Sequence, residues 1–224
     1  MALDLFEVET ALSLAHRLRE YVNWFKVGSQ LFLRGGPKVV EGLRALGAQV
    51  FLDLKFHDIP ATVGRAVEAC ATMDVGFLTV HALGGRRMLS AAVEAAAGSG
   101  TRILAVTVLT SFEEEELSEI GVSGPLSGRV CSLAALARDC GVPGIVCSAR
   151  ELASLREAGI RPAVIVTPGI RLAPREGDDQ RRTVSPREAL ALGATHIVVG
   201  RPVLESADPV KLVRNLLQDG NGLP

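Results

Sequence analysis

The feature that most constrains this chain is its rhythm: short β-branched or apolar runs alternate with longer helical patterns along the sequence. Strand-like runs fall at 2–5, 23–27, 49–55, 76–81, 102–109, 144–147, 163–167 and 196–200. Ala- and Leu-rich segments with helical spacing lie between them, for example 7–20, 37–46, 62–72 and 86–97. Strands separated by crossover helices imply parallel neighbours, because a parallel pair cannot be joined by a tight hairpin. Eight such units in 224 residues suit a closed barrel better than an open doubly wound sheet. No low-complexity linker or shift in composition divides the chain. The expectation is therefore an α/β fold, a single (β/α)8 TIM barrel spanning 1–224 as one domain.

One connection breaks the rhythm. The polar stretch 168–186 contains three prolines and two glycines and is long for a compact domain, as functional lids are. The acidic run 113–116 is read as a solvated helix start, with Ser111 and Glu114 forming a capping box.

Charge and composition exclude several classes. A net charge of −1 with no basic stripe argues against nucleic acid or an anionic membrane as partner. The opening MALDLFEVET lacks the cationic start of a signal peptide, and no apolar run reaches the length of a membrane span. A soluble, cytoplasmic protein is expected. Cys70, Cys131, Cys140 and Cys147 include no C-x-x-C pair, so they are read as reduced, mostly buried thiols.

Charges also occur where an apolar strand should continue. Side chains alternate faces, so Phe51, Asp53 and Lys55 point one way while Leu52 and Leu54 point the other. In a barrel the first set faces the interior near the C-terminal mouth, where barrel enzymes carry their chemistry. Asp4 lies in the first strand, Lys26 interrupts the second, and Asp58 follows Lys55 by three residues. Buried charges are costly unless paired, so these residues are expected to form a compensated network, whether structural or catalytic. Carboxylates beside Lys55 would favour its protonated form, which suits proton donation and argues against a Schiff base.

A second constellation suits phosphate. Arg171 follows Pro168 and Gly169 after the seventh run, and Gly200-Arg201 ends the eighth. Loops at these two places in barrels often hold a phosphate. Of the four histidines, His57 and His81 fall near the mouth. No pair has metal-ligand spacing on one element, so no metal is expected, and His81 is read as an ordered polar neighbour of the site.

The segments D-L-K-F-H-D-I-P-A-T (53–62), T-V-L-T-S (107–111), V-T-P-G-I-R (166–171), D-D-Q (178–180) and V-V-G-R-P (198–202) occur in that order. Together they resemble the bacterial orotidine 5'-phosphate decarboxylase family over nearly the whole chain. D-x-K-x-x-D alone marks only the wider superfamily, which includes phosphosugar aldolases and ketogulonate-phosphate decarboxylases that typically need Mg2+. The I-P, the L-T-S and the long loop with its Gln narrow the resemblance. It implies decarboxylation of orotidine 5'-monophosphate to uridine 5'-monophosphate in pyrimidine biosynthesis, without metal or organic cofactor. Lys55 would be the proton donor to a vinyl carbanion, flanked by Asp53, Asp58 and Lys26. Asp4 would contact the sugar and Thr110 the pyrimidine end. Arg171, Gln180, Gly200 and Arg201 would hold the phosphate under a closing 168–183 loop. Asp58 and Thr62 would reach into a partner's site, which implies a homodimer. A phosphate-ligand binder without catalysis is the rival of another class.

Overall fold

The computed structural model describes residues 1–171 and 184–219. Seven parallel strands form one sheet in sequence order: β1 (Trp24–Gly28), β2 (Gln49–Phe56), β3 (Phe77–His81), β4 (Arg102–Val106), β5 (Gly144–Val146), β6 (Val164–Thr167) and β7 (His196–Ile197). Helices connect successive strands, as parallel pairing requires. Helix Pro60–Ala71 shows how the sequence sets them. Pro60 supplies a fixed φ at the first turn, and Val63, Val67 and Cys70 recur on the buried face. It begins two residues before the helical run expected from the pattern, because proline is itself a good first residue.

The expected first strand is corrected. Within 2–5 only Ala2 forms a bridge, to Lys26, and the segment is not a strand. It nevertheless touches both edges of the sheet. Ala2 N–H donates to the Val199 carbonyl at 2.7 Å, and Leu3 N–H donates to the Lys26 carbonyl at 2.9 Å. The pairing stops there because the chain turns away toward helix Val8–Leu18. The runs at 102–109 and 196–200 are also shorter as strands than their apolar length suggested, ending at Val106 and Ile197. The expected Ser111–Glu114 cap is corrected too. The helix Glu114–Glu119 is capped at Glu113, whose N–H donates to the Glu116 carboxylate at 2.9 Å.

Strand alternation divides the core into two layers. Phe25, Val27, Val50, Leu52, Leu78 and Val80 pack against the helices. Phe51, Phe77, Leu104, Val164 and Val166 fill a separate inner cluster, with Trp24 stacked on Phe77 at 4.1 Å. Each fully buried side chain of this size contributes about 1.5–3 kcal/mol. The inner cluster therefore forms a firm floor beneath the next inward-facing residues, Lys26, Asp53 and Thr79. Cys70 and Cys147 are buried, while Cys131 and Cys140 are only half-buried, and none of the four is in a disulfide. Among the described residues no helix is long and apolar enough to cross a membrane.

Candidate active site

A cavity of about 280 Å³ opens at the C-terminal ends of the strands. Its charged wall is an alternating chain. Lys26 on β1 places Nζ 2.9 Å from Asp4 Oδ1 and 3.6 Å from Asp53 Oδ2. Lys55 on β2 places Nζ 2.8 Å from the same Asp53 oxygen. Two carboxylates and two ammonium groups thus compensate one another, which makes the burial of Asp53 tolerable. Burial alone would raise the Asp53 pKa. The ammonium groups of Lys26 and Lys55, with hydrogen bonds from Lys55 and Thr79, outweigh it and hold the carboxyl below its usual value.

The end of β2 is irregular. Leu52 pairs with Leu78 but Phe56 pairs with Val80, so four steps along β2 face two along β3. Lys55, inside this bulge, has φ +52°, a left-handed conformation that costs a non-glycine residue about 1–2 kcal/mol. Bulges and strained residues of this kind gather where a side chain must be re-aimed. Here the re-aimed side chain is the lysine that faces the cavity.

Two glycines lie against Asp4. A Cβ at Gly28 would stand 3.4 Å from its Oδ1, and one at Gly200 would stand 3.4 Å from its Oδ2. Gly200 then leads into helix Arg201–Leu204, and Arg201 faces the same cavity as the buried Arg171 and as Thr110. The apolar part of the wall includes Phe51, Val106, Val146 and Val198. The cavity therefore offers paired cations and carboxylates, two guanidiniums and an apolar wall. Among the described residues no group of three or more His, Cys, Asp or Glu is placed to hold a metal ion.

The sequence profile of the orotidine 5'-phosphate decarboxylase / HUMPS family matches residues 1–216. The chain belongs to that family. A protein named orotidine 5'-phosphate decarboxylase from Methylacidiphilum infernorum is 50% identical over 223 residues, covering 100% of this chain and 97% of its own. One of the same name from Chromobacterium violaceum is 49% identical, covering 98% and 90%. The crystal structure of orotidine 5'-phosphate decarboxylase from Lactobacillus acidophilus superimposes with a TM-score of 0.82 at 35% identity, covering 99% of this chain and 97% of that one.

For this member of the decarboxylase / HUMPS family, the cavity gathers Asp4, Lys26, Asp53, Lys55, Thr110, Arg171, Gly200 and Arg201. Of the other expected residues that are described, Asp58 and Thr62 do not line it. Asp58 and Thr62 are exposed. The Asp58 carboxylate accepts from Ile59 N–H at 2.6 Å, whereas Lys55 pairs with Asp53, so the expected contact of Asp58 with Lys55 does not form within this chain. The cause is the bulge, after which the chain leaves the sheet before residue 58. Gln180 lies outside the described residues. His57 and His81 line a neighbouring cavity of about 380 Å³, their rings 5.5 Å apart. Burial, with smaller contributions from His57 and Lys55, depresses the His81 pKa. Sequence reasoning missed Thr79. It occupies an inward-facing position of β3, two before His81, but threonine is an ordinary strand residue.

Proposed function

We propose that this protein converts orotidine 5'-monophosphate to uridine 5'-monophosphate and CO2 in de novo pyrimidine biosynthesis. The observation that carries this reading is identity of 50% along the entire chain with a protein named for that activity. The cavity chemistry supports it. When the ring carbon loses CO2, the bonding electron pair stays on that carbon, which has little means of delocalising it. The site must then lower the barrier by roughly 20 kcal/mol, near the top of the enzymatic range. The Lys55 ammonium would stabilise the developing carbanion and then transfer its proton to the same carbon. Solvent returns a proton to the amine. Asp53, itself paired with Lys26, keeps that ammonium fixed, so little reorganisation accompanies the charge change.

The remaining roles follow from the resemblance and the cavity's shape. Asp4, with Lys26 beside it, faces the sugar and Thr110 the pyrimidine. Arg171, Gly200 and Arg201 take the phosphate, joined by Gln180 from the 168–183 loop. Binding energy at the phosphate is remote from the breaking bond but accelerates it if it drives assembly of the charged wall. The reading includes a single domain whose barrel is closed by the segment around Ala2, which bonds both Lys26 and Val199. It also includes a cytoplasmic homodimer. The partner subunit's Asp58 and Thr62 would complete each site, in keeping with their exposure and with an adjoining Ile59 that is 66% exposed.

The test is the ultraviolet absorbance change when purified protein meets orotidine 5'-monophosphate in the presence of EDTA. Fast, EDTA-resistant conversion is the expected result. No conversion by folded protein would reject the reading and direct the search to sugar phosphates with Mg2+.

A further inference from the structure

Thr79 is fully buried in β3, and its hydroxyl makes two bonds at the point where the β2–β3 ladder breaks. It accepts from Lys55 N–H at 2.9 Å and donates to Asp53 Oδ1 at 3.0 Å. The bulge carries Lys55 out of register with β3, and its N–H is met by the Thr79 hydroxyl. The same oxygen, used as donor, fixes which way the Asp53 carboxylate faces. With Oδ1 held by Thr79, Oδ2 is turned to Lys55 Nζ at 2.8 Å and Lys26 Nζ at 3.6 Å.

We propose that Thr79 is a positioning residue for the reaction, its hydroxyl splinting the left-handed Lys55 backbone and the Asp53 carboxylate into one rigid unit. The proposal rests on the decarboxylase reading for its kinetic consequence but not for the splint itself. Thr79 acts through Lys55 and Asp53. One hydroxyl serves both groups because they stand two apart on β2, within the irregular stretch between Leu52 and Phe56. A methyl in its place leaves the part-buried Lys55 N–H without its acceptor and Asp53 Oδ1 without its donor.

The test compares wild type, Thr79→Val and Thr79→Ser. Two readouts are taken: kcat and KM for orotidine 5'-monophosphate, and the Asp53 carboxyl titration followed by ¹³C NMR in the ligand-free protein. Thr79→Val is expected to lower kcat by about 10- to 100-fold with KM changed by no more than about threefold, as loss of alignment does. Its Asp53 titration moves upward, because a hydrogen bond to the charged form is gone. Thr79→Ser restores both. A Thr79→Val enzyme with wild-type kcat and an unmoved Asp53 titration overturns the proposal, as does a Thr79→Ser enzyme as impaired as Thr79→Val. If Thr79→Val does not fold, Thr79→Ala carries the same readouts. Absence of turnover in wild type would count against the decarboxylase reading alone, since the Asp53 titration still decides the splint.

Discussion

Lys55 Nζ lies 2.8 Å from Asp53 Oδ2, although a single leucine separates the two residues on β2 and Lys55 is left-handed at φ +52°. Residues two apart on a strand share a face with Cα atoms about 7 Å apart, so a long side chain such as lysine can reach back to a short one. What the bulge adds is direction. It lifts Lys55 to the rim of the cavity while Asp53 stays deeper, anchored by Thr79 and flanked by Lys26. The ammonium is presented to the cavity from a fixed base.

That geometry gives Lys55 a role that truncation isolates. Lys55→Ala removes the ammonium but leaves both arginines of the cavity in place. Turnover is expected to fall by at least about 1,000-fold, while the affinity for uridine 5'-monophosphate changes by less than about tenfold. Stopped-assay turnover and calorimetric titration check the two halves. Turnover within tenfold of wild type would remove Lys55 from the proton-donor role.

Asp53 carries a pH signature. Its folded pKa lies below the unfolded value of about 3.9, so on acidification the unfolded chain takes up this proton first. The stabilisation from its charge is complete above about pH 4 and is lost as pH falls through the lower folded value. Asp53→Asn leaves two ammonium groups without their shared carboxylate and should cost about 1–3 kcal/mol at pH 7. The figure is held below that of a fully buried pair because the Lys55 side chain is 37% exposed. Urea unfolding of both proteins at pH 7 and at steps from pH 5 to 3 should show the difference shrinking at the acid end. A gap independent of pH would mean that the charge of Asp53 contributes nothing to folding.

Lys26 and Asp53 were legible in the sequence because a charge inside an apolar strand has few places to go in a barrel. Thr79 obeys the same inward register yet does not stand out, since threonine is an ordinary strand residue. Asp58 is a different case. Its spacing from Lys55 is short, but spacing cannot show a bulge, and the bulge sends residue 58 to the surface. Apolar residues that line a cavity look the same in sequence as those that fill a core. Val108 and Leu109 therefore extended the expected strand past Val106, where β4 ends. The segment 2–5 has the composition of a strand, but composition does not count how many ladder bonds the neighbours can return.

Arg201 separates binding from stability. It opens helix Arg201–Leu204 and faces the cavity together with Arg171. Each charge-assisted hydrogen bond to a phosphate is worth about 1.5–3 kcal/mol, and a guanidinium can make two. Arg201→Ala should therefore lower kcat/KM by about 100-fold or more, while unfolding free energy moves by less than about 1 kcal/mol. Steady-state kinetics beside urea unfolding give both numbers. An unchanged kcat/KM would take Arg201 out of substrate binding.

The inner layer beneath the site makes a prediction of its own at Gly144. This residue pairs in register with Leu104 on one side and Val164 on the other, both members of the inner cluster. A Cβ there would lie 2.6 Å from Leu104 Cδ2 and 2.8 Å from the Val164 carbonyl oxygen. Leucine could rotate, but the backbone carbonyl belongs to the sheet and cannot retreat without disturbing β6. Gly144→Ala should destabilise by about 1–3 kcal/mol, the usual cost of adding a methyl to a filled core. Gly128→Ala is the control. It lies on the exposed face of helix Leu126–Asp139, where the nearest atom to a new Cβ is Pro125 Cγ at an ordinary 3.5 Å. There alanine should be neutral or stabilising by a few tenths of a kcal/mol, because glycine is the poorer helix former. Urea unfolding of the two variants side by side measures the contrast. If Gly144→Ala were as stable as Gly128→Ala, the floor under Asp53 and Lys26 would have slack, and a rigid charged wall above it would lose its physical basis.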